Sequence, residues 1–200
     1  MSEYELIRAE IRDAGNKVSQ YNSVLYATTA ALLAFAFDKD SFVFCLLPYV
    51  VILPLYILAE VTKRAECNKA AYLYVFCEGQ DYRWEIRHHE YDKKDRIAIS
   101  NNEQNVLKWT IEKMLSRFDY FSMNIICLIA ALYKIVYSNS SYTTKWLQSI
   151  FVVTLTLVAT IIMAIKAIDY VVERDKAIKQ WRIIKAAEEA QKRNNNRNPQ

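Results

Sequence analysis

The residues best equipped for chemistry lie together in the run Tyr82-Arg83-Trp84-Glu85-Ile86-Arg87-His88-His89-Glu90-Tyr91, which holds both histidines of the 200-residue chain. Arg83 and His88 stand in an Arg-x4-His spacing. Such a pair can address a phosphodiester, the guanidinium steadying the phosphate while the imidazole moves a proton. The same run can instead bind a partner or ligand through Arg83, Trp84, Glu85, Arg87, His88 and His89. A third reading makes it a salt-bridged elbow near anionic headgroups, with Trp84 packed inside. With eleven arginines in the chain, an Arg a few positions before one of two histidines is a common coincidence. The sequence therefore assigns no catalytic residue, and the chain reads as non-enzymatic. No metal site is expected either. Adjacent His88 and His89 would point about 100° apart on a helix, and no Cys falls at supporting ligand spacing. No cofactor is implied.

The elements that must position this run are helices. Hydrophobic residues make up 53% of the chain and charged residues 24%, and the two kinds are segregated. Four apolar blocks of about 17–23 residues match the length needed to cross a hydrocarbon core of about 30 Å. They run Tyr21–Phe37, Phe42–Leu58, Phe118–Tyr137 and Trp146–Ile168. Two Gly and three Pro leave few breakers, so the fold class is all-α: a four-span transmembrane helical protein whose long helices extend into a cytoplasmic helical bundle.

Five segments follow. Residues 1–20 form an amphipathic cytoplasmic helix, with a stripe at Tyr4, Ile7, Ile11, Ala14 and Val18 and a capping box of Ser2 and Glu5. Residues 21–60 form a transmembrane hairpin turned at Asp38-Lys39-Asp40-Ser41, in which Pro48 and Pro54 should kink the second helix. Residues 61–117 form a cytoplasmic helical hairpin that stops near Gly79 and restarts at a second capping box, Ser100 and Glu103. Residues 118–168 form the second transmembrane hairpin, with Tyr142 and Trp146 at an interface. Residues 169–200 continue the last span as a helix whose stripe, Ile178, Trp181 and Ile184, offers a surface to the amino-terminal helix, and then end in a disordered tail.

Orientation follows from the basic residues. Three lie in 1–20, eleven in 61–117 and eight in 169–200, against Lys39, Lys134 and Lys145 at the opposite ends. That asymmetry puts both termini and the middle segment in the cytoplasm of a bacterial inner membrane. The opening residues lack a signal-peptide pattern. The net charge of +4 is modest for a nucleic-acid binder. Asp119, Asn124, Lys134 and Lys166 sit toward span ends, no His falls in a span, and only hydroxyls such as Thr28, Thr29, Thr154, Thr156 and Thr160 stand at mid-span, which argues against an ion-coupled transporter. Cys45, Cys67, Cys77 and Cys127 follow no paired spacing and read as reduced, unliganded thiols.

Where YNSVLYATTAALLAFAF, LLPYVVILPLYIL and GQDYRWEIRHHEY follow one another, the sequence resembles a family of small bacterial four-span membrane proteins. It is also similar to the membrane accessory proteins of type VI (RNA-targeting) CRISPR loci, some of which carry a divergent Arg-x4-His element of the kind found in HEPN ribonucleases. That resemblance implies a homo-oligomer that alters membrane integrity in antiphage defence, with the bilayer and a cytoplasmic defence protein as partners. The element would map onto Arg83 and His88. Two alternatives stand beside it: a non-conducting scaffold that anchors a cytoplasmic partner, and a membrane-tethered HEPN-like ribonuclease.

Overall fold

A computed structural model describes residues 2–39, 41–77, 90, 117–167 and 169–197, with side chains described as far as residue 193. Among the described residues every regular element is helical. In chain order they are α1 (Glu3–Asp38), a 3-10 turn (Phe42–Leu46), α2 (Tyr49–Tyr72), a π-helical turn (Leu73–Cys77), α3 (Phe118–Tyr137), α4 (Tyr142–Lys166) and α5 (Tyr170–Arg197). The chain divides into two compact units. One comprises Lys17–Val61 and Leu107–Ala167, the other Met1–Asn16, Thr62–Val106 and Ile168–Gln200.

Among the described residues three stretches are long and apolar enough to cross a membrane: Phe42–Cys77, Phe118–Tyr137 and Tyr142–Arg193. The second half of α1 is more mixed, because Gln20, Asn22, Ser23, Thr28 and Thr29 dilute its apolar residues.

In the apolar unit the helices alternate in direction. The Asn22 amide donates to the Asp119 carboxylate at 2.7 Å, the Tyr26 hydroxyl donates to the same carboxylate, and fifteen residues further along α3 the Lys134 ammonium donates to the Phe37 and Lys39 carbonyls at 2.7 and 2.8 Å. α1 and α3 therefore run parallel. Tyr49 reaches Thr156, and Tyr56 donates to the Met163 carbonyl at 2.6 Å, so α2 and α4 run together in the other sense. Leu25, Ala36, Ile52, Cys127, Val152 and Met163 fill the space between them and are closed off from the surface. Outside, the same helices present large apolar side chains, such as Val50 at 72% exposure and Ile129 at 61%.

The capping box at the start of α1 forms as the sequence predicts. Ser2 N–H donates to Glu5 Oε2 at 2.9 Å, and Glu5 N–H donates to Ser2 Oγ at 3.3 Å, satisfying two donors that a helix start leaves open. From there α1 runs unbroken to Asp38, joining the amphipathic segment to the apolar one.

Three expectations need correction. Pro48 does not kink a helix. It precedes the first residue of α2, where its missing N–H costs nothing, and its carbonyl accepts from Val51 and Ile52 at 2.9 and 2.8 Å. Pro54 alone lies within the helix. Nor does α4 run straight into α5. α4 ends at Lys166, and α5 starts after Asp169, whose carboxylate accepts from Val172 N–H at 3.3 Å in the manner of an N-cap. At the far end α5 stays helical to Arg197, through asparagines expected to be unstructured. Propagation from an already formed helix costs far less than nucleation. Gly79, Ser100 and Glu103, and most of the 61–117 hairpin, lie outside the described residues.

Candidate functional site

Arg83, Trp84, Glu85, Arg87, His88 and His89 all lie outside the described residues. The structure instead brings together two groups of polar side chains, one within each unit.

In the apolar unit, Arg117 and Glu60 form a two-pronged ion pair. Nε donates to one carboxylate oxygen at 2.7 Å and an Nη nitrogen to the other at 3.0 Å. Their side chains are only 7% and 4% exposed. The pair sits where one apolar block ends and another begins, so α2 and α3 bring acid and base to the same depth. Tyr56 and Tyr120 pack edge to face next to it, with ring centroids 5.3 Å apart.

From that end a file of polar groups runs into the core. The Asn124 amide donates to Thr160 Oγ1 at 2.7 Å. The Tyr49 hydroxyl reaches Thr156 Oγ1 at 2.8 Å and the Asn124 carbonyl at 3.2 Å. Thr156 and Thr160 discharge their own protons on carbonyls one turn back, at 2.9 and 2.8 Å, the usual solution for a hydroxyl in an apolar setting. Four buried polar atoms of this unit have no hydrogen-bond partner among the described residues: Asn22 Oδ1, Thr29 Oγ1, Tyr120 Oη and Asn124 Oδ1. Leaving a buried group unsatisfied costs about 1–3 kcal/mol, so this core is less settled than its close packing suggests.

In the second unit, α5 clamps the π-helical turn. Ala177 and Ile178 pack on Ala71 and Val75, and Trp181 stands edge-on to Tyr72 and Phe76 at 5.1 and 6.0 Å. The Lys185 ammonium donates to the Val75 carbonyl at 2.7 Å, and the Arg182 guanidinium lies over the Tyr74 ring at 5.7 Å. A π-turn widens the helix and misaligns its carbonyls, and Lys185 takes up one of them. Of the predicted stripe, Ile178 and Trp181 do pack, but on the extension of α2, while Ile184 stays exposed. α1 contributes through Glu10, which pairs with Lys69 at 2.8 Å, and Glu3, which accepts from the Tyr72 hydroxyl at 2.6 Å. That bond and burial push the Tyr72 phenol up to about 12, so it donates throughout the physiological range.

Sequence reasoning passed over Glu60 and Arg117 because each reads as an ordinary charge at a block edge. The available signal was their opposite sign at matching ends of successive apolar blocks. All four cysteines are free thiols, Cys45, Cys67 and Cys127 buried. Taken together, an outside of large apolar side chains, a few polar groups held inside and, among the described residues, three helices of spanning length are the marks of a helical membrane protein. No protein-family model, curated protein or solved structure matches the chain.

Proposed function

We propose that the chain is a four-span protein of the bacterial cytoplasmic membrane that works as a homo-oligomeric accessory or effector in CRISPR-associated antiphage defence. In this reading its cytoplasmic helices receive a signal or defence partner, and its spans alter membrane integrity without making or breaking a covalent bond. Both termini lie in the cytoplasm in this reading, which the distribution of Lys and Arg supports. The fourth span is the second half of α1. Support for it comes from contacts that keep α1 beside α3 from Asn22 to Lys39.

The observation that carries the reading is the polar file of Thr29, Tyr49, Asn124, Thr156 and Thr160 inside a unit whose outside is apolar. Polar groups are expensive in hydrocarbon, and unsatisfied ones gain when water or a rearranged neighbour reaches them. One copy is closed along its axis by Ile52, Tyr56, Cys127 and Met163. Conduction therefore requires several copies or a repacked core. The defence setting rests on the resemblance of the spans and the 79–91 run.

That closed core also favours a second reading, a scaffold that conducts nothing. A membrane-potential dye separates the two. Cells expressing the chain should depolarise on phage challenge while cells lacking it hold their potential. Unchanged polarisation under every challenge would reject the effector and leave the scaffold.

A further inference from the structure

Two recesses open on either side of α2 in the second unit, and Asn68 lines both. The first, of about 370 Å³, is walled by Ile7, Ala65, Tyr72 and Trp181 and bordered by the Glu10–Lys69 pair. The second, of about 320 Å³, is polar and is lined by Arg64, Cys67, Asn68, Glu173, Lys176 and Gln180. Each is within the size range of small-molecule sites. One is suited to a flat, weakly polar body and the other to an anion.

We infer that the pair of recesses is a nucleotide site, the base entering the aromatic recess and the phosphates the polar one. Tyr72 and Trp181 meet edge to face at 5.1 Å, and Trp181 is held in place by its indole N–H, which donates to the Asn68 carbonyl at 3.3 Å. Both rings line the recess, and bases of any kind stack on aromatic rings because every base has a π face. The Asn68 side chain, exposed between the recesses, offers a donor and an acceptor to the edge of a base or to a ribose hydroxyl.

In the polar recess Arg64 and Lys176 lie 3.8 and 3.2 Å from the single carboxylate of Glu173. One negative charge is thus divided between two cations, leaving a net positive site. Both side chains are more than 60% exposed, so a phosphate can reach them without unpacking the helices. Arg64 supplies a planar fork for phosphate oxygens and Lys176 a point charge. A lone anion would use only the second recess, whereas a ligand that also carries a ring would fill the aromatic one beside it.

This inference rests on the sensing role proposed above for the cytoplasmic helices and names the class of signal. Its test reads binding alone, so its failure is separable from that of the membrane reading. N-Methylanthraniloyl-ATP is titrated into the full-length protein in detergent free of anionic lipid, and unlabelled ATP, adenosine, inorganic pyrophosphate and phosphatidylglycerol micelles compete. Saturable binding is expected, with ATP displacing the probe at least tenfold more effectively than any of the other three. Ala65→Leu, which fills the aromatic recess from an exposed helix position, and the double variant Arg64→Ala/Lys176→Ala should each weaken binding at least tenfold. Unchanged thermal unfolding of both variants would show that the fold is kept. Absence of saturable binding to the wild type, equal displacement by pyrophosphate or phosphatidylglycerol, or full binding by either variant would overturn the inference.

Discussion

Arg117→Ala lowers the stability of the purified protein by about 3–5 kcal/mol, because it removes the guanidinium that engages both oxygens of the Glu60 carboxylate, a group only 4% exposed. The loss is read as a fall in the temperature at which Cys45, Cys67 and Cys127, all buried in the fold, become reactive to a fluorogenic maleimide. Arg117→Lys keeps the charge but gives up the fork that engages both carboxylate oxygens at 2.7 and 3.0 Å, and should lie between the wild type and alanine. Replacing both partners with leucine removes the buried charges together and should recover much of the loss. If Arg117→Ala unfolds with the wild type, the pair is solvated and does not hold α2 to α3.

A comparable effect is expected where the surface is apolar. Ile129 lies midway along α3 with 61% of its surface exposed. Against water, Ile129→Lys would be harmless or would improve solubility. Against lipid it costs about 2.5–3.5 kcal/mol of insertion free energy and should sharply reduce the membrane-inserted fraction, while Ile129→Leu changes nothing. Ile183 on α5 is 70% exposed but belongs to the other unit. Ile183→Lys should leave insertion unchanged, so the two lysines together separate a lipid-facing surface from a water-facing one. Equal behaviour of both would contradict that division.

Features that depend on a few consecutive residues were legible in the sequence. Ser2 and Glu5 form their capping box because both partners lie in one turn, and three of the apolar blocks appear as helices of spanning length because length and composition are local. Features set by neighbours distant in sequence were less legible. Glu60 and Arg117 are 57 positions apart. Nothing in YVFC marks a π-turn, whose geometry is completed by Lys185 from α5. The break after Lys166 carries neither Gly nor Pro, and its one local signal was Asp169 as an N-cap. A proline in an apolar run, as Pro48 is, looks internal until the helix start is known; here the helix starts after it. Ile184 matches the α5 stripe by spacing, yet α2 covers only Ile178 and Trp181. The two recesses escape the sequence altogether, since Arg64, Asn68 and Tyr72 on α2 acquire meaning only beside Lys176 and Trp181 on α5.

The central claim, four crossings with both termini in the cytoplasm, is tested most directly by cysteine labelling in intact cells. Single cysteines replace Asp38, Asn139 and Ala187 in a background whose native cysteines are changed to serine or alanine, and a membrane-impermeant maleimide is applied before and after permeabilisation. The account predicts that positions 38 and 139 are labelled at once and that position 187 is labelled only after permeabilisation. Labelling of 187 in intact cells, or protection of 38 while 139 is labelled, would contradict it, the latter by showing that the second half of α1 does not cross.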